Sequence, residues 1–170
     1  MSDKSASEQV PVAFGEKLAS SQTFTAMFRE GMALVEETAA YLDGPGRQDS
    51  KRLDRGPALT YATESMRLTT RLMQVASWLL LHRAVNEGEM SLADAQKEKR
   101  KVKLSSGDPV DEQTLKLLPE RLRDLIGRSA RLQDKVRRLD ATIHAPMPAP
   151  AASSPVDHHL GMLRAAFERD

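Results

Sequence analysis

Histidines are the side chains best suited to metal or proton chemistry in this 170-residue chain, and there are four. His158 and His159 are adjacent, so on a helix they point about 100° apart and miss the i, i+4 pairing that sets two imidazoles on one metal. His82 and His144 fall at helix ends without a ligand at suitable spacing nearby, so all four read as surface histidines and no metal ligand is assigned. The chain has no cysteine, hence no thiolate site and no disulfide, which fits a reducing compartment. Its carboxylates scatter over polar faces, with no pairing in an apolar pocket of the kind general acid–base catalysis needs. Phosphate-loop, dinucleotide-binding, nucleophile-elbow and zinc-protease motifs are all missing, and Gly44-Pro45-Gly46 is a turn. The expectation is a protein with no catalytic residue and no cofactor, and no enzyme.

The elements that must carry any other function are helices. Hydrophobic residues make up 40% of the chain but aromatics only 4%, so Leu, Ala and Met do the packing, which suits helices over sheets. The segment from Pro57 to Glu87 has no internal Gly or Pro. At about 100° per residue, Leu59, Ala62, Met66, Met73, Ala76 and Leu80 form one apolar stripe, with Tyr61, Leu68, Leu72, Val75 and Leu79 beside it. A helix this apolar on two sides is predicted to be the centre of a bundle, with Thr63, Glu64, Arg67, Thr70, Arg71 and Gln74 facing out.

An earlier helix, starting between Val12 and Thr23, carries Phe24, Phe28, Met32, Val35, Ala39 and Leu42 at helical spacing. Asp43-Gly44-Pro45-Gly46 ends it, with Gly suited to a left-handed cap, and 47–55 reads as a loop. After the central helix Gly88 is the stop residue, and Ser91-Leu-Ala-Asp94 caps a short helix to about Arg100. The connector from Gly88 to about Leu115 is long for a helical hairpin and is expected to fold over something. A third long helix begins near Leu115 or Pro119, and its core face is Leu118, Leu122, Leu125, Ile126, Leu132, Val136, Leu139 and Ile143.

The fold class expected is all-α: an antiparallel three-helix bundle with long connectors and a disordered C-terminal tail. Residues 1–11 are read as disordered, 12–144 as the bundle domain, and 145–170 as a Pro/Ala linker with a flexible tail. The N-terminus lacks a signal-peptide pattern and no apolar run approaches the ~18 residues of a membrane span, so the plain expectation is a soluble cytoplasmic protein.

Four surfaces stand out. Met27, Leu34 and Tyr41 repeat every seven residues beside the first helix's main stripe, and are the candidate seam of a homodimer, with widened core packing within the chain as the alternative. Trp78, Leu81 and Val85 make the C-terminal end of the central helix apolar all round; either the 88–115 connector covers them or a partner does. The third helix bears Arg121, Arg123, Arg128, Arg131, Lys135, Arg137 and Arg138. A net charge of +1 and interleaved Asp residues make this a solvated face first, and a nucleic-acid contact only as the alternative. In the tail, Leu160, Leu163 and Phe167 could form one helical face in a segment too short to be stable alone; on a flexible leash this is a candidate partner-binding motif, the alternative being a tail that folds back or has no role.

The run Tyr41-Leu-Asp-Gly-Pro-Gly-Arg47, followed by the stretch from Leu59 to Val85, resembles the alphaproteobacterial family of regulators of CtrA degradation. The likeness extends from about Phe24 to Ile143, with the linker and tail in place. It implies a non-enzymatic proteolysis adaptor, a dimeric three-helix bundle that delivers the cell-cycle regulator CtrA and other substrates to the ClpXP protease. The implied partners are CpdR, which primes the protease, and PopA, which links the adaptor to CtrA; cytoplasmic residence with recruitment to a cell pole would follow. The family has no catalytic signature to carry over. Its disordered tail corresponds to residues 145–170, where Leu160, Met162, Leu163 and Phe167 are the candidate contacts on apolar pattern alone. The main alternative is a helical scaffold or transcription-associated regulator that touches nucleic acid through the Arg-rich helix.

Overall fold

A computed structural model describes residues 21–101 and 111–145. Helices are the only regular elements among the described residues: α1 Gln22–Asp43, α2 Pro45–Lys51, α3 Arg55–Asn86, α4 Leu92–Lys101, α5 Glu112–Leu115 and α6 Glu120–Ile143. The all-α expectation therefore holds, with α1, α3 and α6 as the long members packed on one another. No helix among the described residues is long and apolar enough to cross a membrane. The tail positions Leu160, Met162, Leu163 and Phe167 lie outside the described residues.

Local chemistry sets the boundaries. Gly44 closes α1 with φ −117°, not the left-handed cap expected, and Pro45 opens α2 at once, where a missing N–H costs little. The stretch read as a loop is thus partly helical, tied back by the Tyr41 hydroxyl, which donates to Asp49 Oδ2 at 2.9 Å. Gly88 follows α3 at φ 76°, the left-handed conformation a stop glycine supplies. Ser91 caps α4 by accepting from the Asp94 N–H at 3.1 Å.

The long helices do not alternate in direction. On α1, Phe24 meets Trp78 while Gly46, just past its C-terminal end, comes close to Tyr61, so α1 and α3 run antiparallel. Glu30 pairs with Lys135 and Glu37 with Arg128, so α1 and α6 are antiparallel too. Between α3 and α6, however, Arg71 meets Ser129, Trp78 meets Asp140 and His82 meets His144, which makes those two parallel. The long connector has its reason here: after α3 the chain must return along the bundle before α6 can start. Its first part, α4, packs on α3, with Ala95 fully buried.

The core refines the pattern read on α3. Tyr61, Leu68, Leu72, Val75 and Leu79 are buried as expected. The other stripe is not core: Leu59, Met66, Met73 and Leu80 are 71, 71, 66 and 52% exposed. The buried side instead includes Glu64, expected outside, whose carboxylate accepts from Arg67 at 3.0 Å. Arg71, also expected outside, is half-buried and donates to Ser129 Oγ at 2.9 Å. Each has a partner, Arg67 on the same helix for Glu64 and Ser129 on α6 for Arg71, which offsets part of the cost of burying it.

Candidate interaction surface

Four exposed apolar residues on α3 repeat at seven-residue intervals: Leu59, Met66, Met73 and Leu80. Exposed or half-exposed Ala62, Thr69, Ala76 and Ser77 lie between them. At 1.5 Å per residue the ridge runs about 32 Å along the helix. Large residues at one heptad position with small ones between form a seam that a second helix can approach closely. Among the described residues these four side chains stay half or more exposed.

Toward the C-terminal end of α3 the ridge joins a groove of about 300 Å³ against α4, lined by Ser77, Leu80, Leu81, Ala84, Glu98 and Lys101. Helix α4 forms one wall of this groove beside Leu81, whereas the partners of Trp78 lie on α1, α3 and α6. Trp78 is 2% exposed, stacked on His82 at 3.9 Å between ring centres and tilted against Phe24 at 6.2 Å. Leu81 and Val85 are half-buried. The Trp78, Leu81, Val85 patch is accordingly not an open face, and only Leu81 borders the groove.

The heptad on α1 corrects the expected dimer seam. Met27, Leu34 and Tyr41 are 6, 1 and 0% exposed within a single chain, so their seven-residue spacing serves the contact of α1 with the rest of its own bundle. A heptad marks a helix–helix seam without saying whether the second helix belongs to the same chain.

The basic face of α6 is partly neutralised internally. Arg128 pairs with Glu37 at 2.8 Å and with Asp124 at 3.3 Å, and Lys135 pairs with Glu30 at 2.9 Å. Arg121 lies over the Tyr41 ring, 5.5 Å from its centre. The Arg128 guanidinium holds the Glu37 carboxyl below its ordinary value.

One polar cluster was not foreseen. His82 is fully enclosed rather than on the surface, and His144, largely covered, meets it edge-on at 5.7 Å between ring centres. Asp140 sits between α3 and α4, accepting from Trp78 Nε1 at 2.8 Å and pairing with Lys99. Burial pulls both imidazoles below the ordinary histidine value; the Trp78 carbonyl opposes this at His82, and Asp140 opposes it at His144. The i, i+4 spacing of Asp140 and His144 was visible in the sequence; the approach of His82 was not.

The family described as protein of unknown function DUF1465 matches residues 15–167. The crystal structure of RcdA from Caulobacter crescentus CB15 is similar to this chain at 53% sequence identity. The match covers 77% of this chain and 98% of that one, with a TM-score of 0.64. None of the curated proteins compared with the chain matches it.

Proposed function

The chain belongs to the DUF1465 family and, with RcdA, to the regulators of CtrA degradation, and from that premise we propose that it is a non-enzymatic adaptor for regulated proteolysis. It delivers CtrA and other substrates to the ClpXP protease during the cell cycle, together with CpdR and PopA, and is recruited to a cell pole from the cytoplasm. The observation that carries the reading is 53% identity over 98% of the RcdA chain in its crystal structure, a span that includes α3. Physically an adaptor needs surfaces and no reacting groups. Holding a substrate beside the protease raises its local concentration, and the protease supplies the chemistry.

The adaptor acts as a homodimer, with the α3 ridge as the face between copies. Residues Leu59, Met66, Met73 and Leu80 are symmetric about the middle of α3, so two copies crossing there would pair each end residue with its opposite, as a two-fold interface requires. Residues 145–170 act as the leash to a second partner, through Leu160, Met162, Leu163 and Phe167. The nucleic-acid alternative is weakened on α6, where Arg128 and Lys135 already engage acidic residues of α1.

Reconstituted degradation of CtrA by ClpXP, with CpdR and PopA present, tests the reading. Adding the chain should speed CtrA loss severalfold, and removing residues 145–170 should keep the helical signal and the dimer while reducing that gain. An unchanged CtrA half-life on adding the full chain would refute the adaptor role, and full delivery by the truncated chain would refute the role of the tail.

A further inference from the structure

We propose that the end of the bundle where α3, α4 and α6 meet binds one divalent transition-metal ion, Zn²⁺ by preference, through His82, Asp140 and His144. One donor atom from each of these residues lies within 4.8 Å of the others. Proximity alone is common among polar side chains, so the case rests on what each atom already does.

His82 is 0% exposed, and its Nδ1 lies 3.0 Å from the Trp78 carbonyl oxygen. A carbonyl only accepts, so Nδ1 carries the proton and Nε2 carries the lone pair. That Nε2 is buried and has no hydrogen-bond partner. Leaving such an atom unsatisfied costs about 1–3 kcal/mol, so the site favours any occupant that accepts the lone pair. His144 Nε2 is likewise buried without a hydrogen bond, and it lies 3.4 Å from Asp140 Oδ1. Tetrahedral zinc with bonds of about 2.0–2.1 Å holds its ligand atoms about 3.3–3.4 Å apart, so this pair already has the required separation. His144 is the C-terminal cap residue of α6.

The outer contacts are those that ligating groups use. His82 is fixed in tautomer and direction by its bond to the Trp78 carbonyl, and Asp140 Oδ1 is oriented by the Trp78 indole N–H at 2.8 Å. Two nitrogens and one carboxylate oxygen suit zinc and its borderline neighbours over magnesium or calcium, which prefer all-oxygen shells. Three protein ligands leave a fourth position for water, as in open zinc sites. Lys99 is the competitor: its ammonium pairs with Asp140 Oδ2 and supplies the positive charge that an ion would otherwise bring. The ion therefore binds against Lys99, and removing that charge should tighten binding.

The experiment uses the full chain with His158→Asn and His159→Asn, so that tail imidazoles contribute nothing, and titrates it calorimetrically with Zn²⁺ alone. Expected are one ion per chain, a rise in Tm with added Zn²⁺, and no competition from millimolar Mg²⁺. His144→Gln, at the helix end where folding is least at risk, should weaken binding at least roughly tenfold. Lys99→Gln should strengthen it. Absence of binding would overturn the proposal and leave the cluster a water-satisfied polar network. So would binding that survives His144→Gln, or an affinity unmoved by Lys99→Gln.

Discussion

Replacing Met73 by Glu tests the dimer face without disturbing the fold. Met73 is 66% exposed on α3, so the change removes little intramolecular packing, and Glu is a good helix former. Fully burying a Met side chain is worth about 1.5–3 kcal/mol, so covering two-thirds of one contributes about 1–2 kcal/mol. In a two-fold interface every substitution occurs twice, giving about 2–4 kcal/mol, or roughly 30- to 700-fold in the dimer dissociation constant. The desolvation of two carboxylates adds to that loss. Sedimentation equilibrium over a dilution series should show the wild type dimeric at micromolar concentration and the variant mostly monomeric. Circular dichroism and monomer stability should stay the same. Ala26→Glu, at an exposed position on α1 away from the ridge, should leave the association constant unchanged. A wild-type chain that is monomeric at these concentrations, or a Met73→Glu variant that associates as tightly as the parent, would refute the assignment.

Two further substitutions test the fold itself. Gly46→Ala places a Cβ 2.5 Å from the Tyr61 hydroxyl and 2.7 Å from the Tyr41 carbonyl oxygen, so backbone must move. The gain of up to about 1 kcal/mol in helix propensity should lose to about 1–3 kcal/mol of overpacking, lowering the midpoint of urea unfolding. Glu37→Gln should make the chain less acid-sensitive. The Glu37 carboxyl is held below its ordinary value of 4.5, so the native state binds fewer protons there than the unfolded state. Its contribution is present above that value and is lost as pH falls through the lowered one. Because the pair is about one-third exposed, the effect at neutral pH should be about 0.2–1 kcal/mol, measured by denaturant unfolding at several pH values. An equal slope of stability against pH in both proteins would refute this part.

The number and positions of the long helices were legible in the sequence, because Gly, Pro and capping residues at 44–46, 88 and 91 punctuate clear 3.6-residue periods. Which faces turn inward was less legible. Hydropathy ranks Leu59, Met66, Met73 and Leu80 as core and Glu64 and Arg71 as surface. The structure reverses both, with Glu64 paired to Arg67 along the same helix and Arg71 bonded to Ser129 across to α6. A stripe's apolar character states that something should cover it; whether that is the same chain or another is decided by tertiary geometry. The two heptads make the point, since the one on α1 is satisfied internally and the one on α3 is not.

The same limit explains why the histidine cluster was missed. Asp140 and His144 are four apart on one helix, a separation that any reading of α6 places on one face. Adding His82 requires knowing that the C-terminal ends of α3 and α6 lie together, and an alternating bundle would have put them at opposite ends. The direction of α6 follows from the connector, since a chain that returns along the bundle after α3 starts its last helix from the far end. The length of that connector was the one sign in the sequence that the bundle need not alternate. It bears equally on function: the return path lays α4 against α3 and brings Lys99 to Asp140, while the ridge on α3 stays largely exposed among the described residues. One topological choice thus encloses the polar cluster and leaves open the face on which two copies can meet.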